Sequence, residues 1–230
     1  MSGSGIVVSV RCAAELCYAM QQSAVPALHG VTLRNAGAEP LRDLQVTVEL
    51  EDFATPQELR VADVPPGACV ELPVEDLSLS AAAFANLHER QRADLVVRVE
   101  REGEVLCREV RPVDVLAYNE WPGLSPLPAL LAAFVLPNHP VFPAVLGVVA
   151  DRLGARTGSA ALDGYQSGDR GRARAAVQAV YEALCAMRIR YVSPPPSFER
   201  TGQKVRTPEQ VVGERFGTCL DLVLCAAALL

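Results

Sequence analysis

Cys219 directly follows Gly217 and Thr218, and Asp221 stands three positions after Thr218. Thr-x-x-Asp is the spacing of a capping box, so Thr218 is expected to cap a helix and Cys219 to fall in its first turn, with Asp221 as the reciprocal cap. A thiol there meets free backbone N–H groups and the positive end of the helix dipole, which favour thiolate over thiol. The chemistry open to such a group is nucleophilic attack on a carbonyl. A buried structural thiol is the other reading of Cys219, because the residues reveal no partner base. Gln203, in the loop ahead, is a candidate oxyanion donor or a residue bonding its own turn. Lys204 and Arg206 bind a substrate carboxylate or solvate that loop. His139, the one histidine of the second half, lies in the Pro-rich run 137–143 and reads as a helix-terminating residue rather than a base.

The elements expected to position these groups come in two halves. From Ile6 to about Leu116, short valine-rich runs alternate with period two: Leu44, Val46, Val48 and Leu50 fall on one face, Gln45, Thr47 and Glu49 on the other. Turn residues at 35–41, 64–68 and around Gly103 separate several of them. This predicts an antiparallel β-sandwich of immunoglobulin-like type over residues 1–116, with Ser80–Ala93 as a short helix or crossover. A Pro/Gly-rich stretch, 117–128, reads as a linker, and its Trp121 as an anchor against both domains. Residues 129–230 read as mainly helical, making the fold class α+β. Runs 127–136 and 141–150 predict core helices. Around 170–191, Ala176, Val177, Val180, Tyr181 and Leu184 share one face, while Arg172, Arg174, Gln178 and Glu182 share a solvated one. Thr207, Pro208 and Gln210 predict a second capping box, opening a helix that ends at Gly217. After Asp221 the chain is apolar on every side, as in a helix buried through a domain centre, where Cys225 is a core residue.

Composition narrows the functions. Half of the 230 residues are hydrophobic and the net charge is −6, so no overall field draws the chain to nucleic acid or an anionic membrane. Seven cysteines, an odd number with no Cys-x-x-Cys and no secretory leader, fit reduced thiols in the cytoplasm. The three histidines stand away from any cysteine pair, so no metal is expected. The phosphate-loop pattern is absent and no cofactor is expected.

The run 206–230 resembles the nucleophile segment of the transglutaminase-like cysteine fold. With the runs 130–140, 161–169 and 194–208, it also resembles the N-terminal portion of a family of large bacterial proteins of unknown function. Those proteins join a β-sandwich and this transglutaminase-like region to helicase and nuclease-like segments. The resemblance implies that Cys219 is the nucleophile of an acyl transfer or an amide or peptide hydrolysis. It implies a histidine and an Asp or Asn on downstream strands, so residues 129–230 read as an incomplete domain, inactive alone and continuing past Leu230. The partner expected over the apolar final helix is the rest of that polypeptide or another chain. A protein or peptide substrate fits, no membrane does, and nucleic acid enters only through downstream segments. The alternative is a catalytically silent recognition or scaffold module that brings a helicase or nuclease engine to its target.

Overall fold

The structure, a computed structural model, describes residues 5–124, 128–163, 166–196 and 198–230. Residues 1–4, 125–127 of the expected linker, 164–165 in the run 161–169 and 197 in the run 194–208 lie outside the described residues. The chain is α+β and divides into two compact units, Met1–Tyr118 and Asn119–Leu230.

The first unit is built from strands β1 (Ile6–Cys12), β2 (Glu15–Leu16), β3 (Leu28–Asn35), β4 (Leu41–Leu50), β5 (Ala54–Thr55), β6 (Gln57–Val64), β7 (Cys69–Glu71), β8 (Ser78–Leu79), β9 (Gln91–Arg101) and β10 (Glu104–Val115). One sheet has the order β1-β3-β7, a second β2-β10-β9-β4-β6, and β5 pairs β8. All these pairings are antiparallel except β2 with β10. Alternation places Leu44, Val46, Val48 and Leu50 of β4 beside the buried Leu95, Val97 and Val99 of β9, each at most 1% exposed. The β9–β10 hairpin turns on two residues, Glu102 (φ 52°) and Gly103 (φ 82°), the left-handed pair a tight hairpin requires. Two helices of five residues, α1 (Tyr18–Gln22) and α2 (Ala81–Ala85), complete the unit, and Ser80 caps α2. β6 was not foreseen: Pro56 directly precedes it, and its alternate residues are only partly buried.

The second unit contains β11 (Glu120–Trp121), α3 (Phe142–Thr157), α4 (Arg170–Ala186), β12 (Arg190–Tyr191), α5 (Phe198–Thr201), β13 (Gln203–Lys204), α6 (Pro208–Glu214), β14 (Phe216–Gly217) and α7 (Cys219–Leu229). Its main core joins Phe142, Val145, Val149 and Leu153 of α3 to Ala175, Ala176, Ala179, Val180 and Ala183 of α4, with Val211, Cys225, Ala228 and Leu229. A smaller cluster gathers Trp121, Val205 and Leu224.

Several expectations change here. Trp121 lies in the core of the second unit, 2% exposed, and β11 pairs β13, so part of the expected linker is folded structure. Residues Pro128–Phe134 form a 3₁₀ helix with Leu130 buried, rather than an α-helix. α4 is rotated from the predicted face: alanines pack against α3, where small side chains allow close approach, and Val177 and Tyr181 are 50% and 68% exposed. Arg172, expected to be solvated, donates to Asp163 (2.8 Å), Thr157 and the carbonyl of Ala161, and its guanidinium holds the Asp163 carboxyl below the usual range. α6 stops at Glu214 rather than Gly217, because Arg215 turns left-handed (φ 55°) and Phe216–Gly217 pairs with β12. α7 is not apolar-buried on all sides: Val223 is 60% exposed beside a groove of about 350 Å³, lined also by Val177, Tyr181, Leu184, Ile189 and Leu230.

Candidate functional site around Cys219

Both capping boxes form. At the head of α7, Thr218 Oγ1 accepts from the Asp221 N–H (3.4 Å) and Asp221 Oδ2 accepts from the Thr218 N–H (2.8 Å). Leu222 N–H then makes the first helical bond, to the Thr218 carbonyl. The N–H groups of Cys219 and Leu220 are the two left over at the helix mouth, as a first turn requires. The Cys219 side chain beside them is partly exposed.

Asp221 is fully buried and has three donors. Besides Thr218, its Oδ1 takes the Arg206 N–H (2.9 Å) and its Oδ2 the Arg206 guanidinium (3.3 Å). The guanidinium in turn stacks over the Phe216 ring, 4.3 Å from its centroid. The charge of Asp221 reaches along the helix: burial first, and the Asp221 carboxylate second, push the Cys225 thiol up to about 12.

This displacement sets a stability window. The Cys225 thiol of the unfolded chain ionises near pH 9, whereas in the folded chain it holds its proton to about 12, so stability is complete below pH 9 and is lost as pH rises through that interval. Between pH 9 and 10 the native chain is expected to lose about 1 kcal/mol more than Cys225→Ala does. Urea denaturation of both at the two pH values measures the difference, and equal slopes would refute it.

Gln203, 5% exposed, directs its amide nitrogen to Thr218 Oγ1 (3.2 Å), so it braces the cap rather than facing an oxyanion. Its amide oxygen is buried without a partner, as is Trp121 Nε1, and the two residues are paired across β11 and β13. Arg206 serves Asp221 and Phe216, not a free carboxylate site, while Lys204 is exposed. His139 is local: its Nδ1 accepts from the Val141 N–H (3.3 Å) and its ring packs edge-on to Phe142 at the start of α3. The structure therefore brings Cys219, Thr218, Asp221 and Gln203 together. Sequence reasoning missed that Trp121 belongs beside them, a burial signalled only by a lone large aromatic in a Pro/Gly-rich stretch.

Among the described residues no group of three His, Cys, Asp or Glu side chains could hold a metal, and no helix is long and apolar enough to cross a membrane. Compared with family models and with curated proteins, the chain matches none.

Proposed function

We propose that Cys219 is the nucleophile of a thiol acyl-transfer or amide-hydrolysis site in a transglutaminase-like second domain. The observation that carries this reading is the partly exposed thiol in the first turn of α7, beside two N–H groups that the capping box leaves unspent. The thiolate would attack a carbonyl carbon, and the Cys219 and Leu220 N–H groups would receive the developing oxyanion. The C–N bond then breaks, the amine leaves with a proton, and water or a second amine resolves the thioester. His139 is committed to its turn, and the proton-accepting base in this reading is the downstream histidine that the transglutaminase-like resemblance implies. The protein or peptide substrate, and a longer polypeptide with helicase and nuclease-like segments, belong to the same proposal.

We further infer that the first unit is an immunoglobulin-like sandwich. In its sheets, β1-β3-β7 and β2-β10-β9-β4-β6, the strands β1, β3 and β7 take the places of A, B and E, and β10, β9, β4 and β6 those of G, F, C and C′ of that architecture. Seven free cysteines support a reducing, cytoplasmic setting.

The test is the rate of iodoacetamide modification at pH 7, resolved for each cysteine by mass spectrometry. Cys219, though half-buried, is expected to react about tenfold faster than the exposed Cys69 and Cys185. A rate below theirs would rule out an activated nucleophile. It would favour the second reading, a silent recognition module, which the exposed apolar groove between α4 and α7 supports.

A further inference from the structure

Asp221 is the carboxylate at the head of α7, two positions after Cys219, and it has no exposure to water. An anion in that place opposes a second anion on the neighbouring sulfur. Arg206 meets it through both main chain and guanidinium, and the guanidinium lies over the Phe216 ring.

We propose that Arg206 is a positioning residue for the Cys219 reaction: by neutralising Asp221 from behind the capping box, it allows the cap to form without setting a buried negative charge against the thiolate. This rests on the reading of Cys219 as a nucleophile.

On the elements around α7, Glu209 and Glu214 of α6, Arg215, Arg190 and Tyr191 of β12, Glu199 and Arg200 of α5 and Lys204 of β13 are exposed; Glu120 of β11 is buried opposite Lys204, and Tyr181 and Cys185 of α4 line the groove farther along α7. Gln203, which also touches the cap, is neutral.

The experiment is the pH profile of iodoacetamide modification at Cys219 in the whole chain, for the native protein and for Arg206→Gln, Arg206→Lys and the Arg206→Gln/Asp221→Asn pair. Arg206→Gln keeps a donor toward Asp221 but removes the charge, and its profile is expected to move about one pH unit upward. Arg206→Lys should stay near the native profile, and the double variant should return toward it, because the opposing charge is gone as well. Near-ultraviolet circular dichroism establishes folding. Should Arg206→Gln fail to fold, the separation between Arg206→Lys and native decides: a lysine profile that leaves the native one by a unit or more overturns the proposal. A folded Arg206→Gln protein with the native profile also overturns it, while leaving the nucleophile reading intact. A native Cys219 that does not react at any pH overturns both.

Discussion

Gly202→Ala is expected to destabilise the second unit by about 3–5 kcal/mol, enough to unfold a domain of ordinary stability. Gly202 has φ 74°, and a methyl group there would drive into the backbone of Trp121 and Pro122, with Pro122 Cα only 3.0 Å away. Neither obstacle is a flexible side-chain tip: both are main chain, held by the pairing of Trp121 with Gln203. The chain's single tryptophan sits in the affected cluster, so urea denaturation followed by Trp121 fluorescence reads the effect where it arises. Gly103→Ala is the control. It has a similar φ of 82° but meets nothing within 4 Å, so only the conformational cost, on the order of 1 kcal/mol, should appear, read by far-ultraviolet circular dichroism. Equal losses at the two glycines would show that the close approach at Gly202 carries no weight.

Asp221→Ala should cost about 2–4 kcal/mol. It deprives the Thr218 N–H and the Arg206 N–H of their acceptor and the Arg206 guanidinium of its counter-charge. The first two are the heavier loss, since the Arg206 side chain is 31% exposed and can turn toward water. The head of α7 is then expected to fray, with faster amide exchange from Thr218 to Leu222. Thr207→Ala, which removes the more ordinary cap of α6, sets the scale at about 1 kcal/mol. If Asp221→Ala costs no more than Thr207→Ala, the buried carboxylate is not what holds the helix head.

Features repeated over many residues were legible in the sequence. The period-two runs of β4 and β9 announce their buried faces, and Thr207, Gln210, Thr218 and Asp221 announce two capping boxes that both form. Strands of two residues have no period to read, and so β11, β13, β12 and β14 went unseen. α4 misled for a different reason. Its larger apolar residues, Val177 and Tyr181, suggested the core face, but tight packing against α3 selects alanines instead. At the site, local spacing gave Cys219, Thr218 and Asp221. The bracing by Gln203 and Arg206 depends on a loop returning to the helix head from 15 residues earlier in the chain, which no local pattern encodes.

The pairing of Glu120–Trp121 with Gln203–Lys204, and the packing of Trp121 beside Leu224, impose an order on synthesis. The first unit has all its sheet partners once Val115 has left the ribosome. Trp121 emerges soon afterwards but waits about 100 residues for Leu224, an interval of roughly 5–20 s at ordinary elongation rates. During that interval a tryptophan and the unpaired edge of β11 stand open to water and to chaperones. The second unit is therefore the one whose yield should respond to the speed of translation.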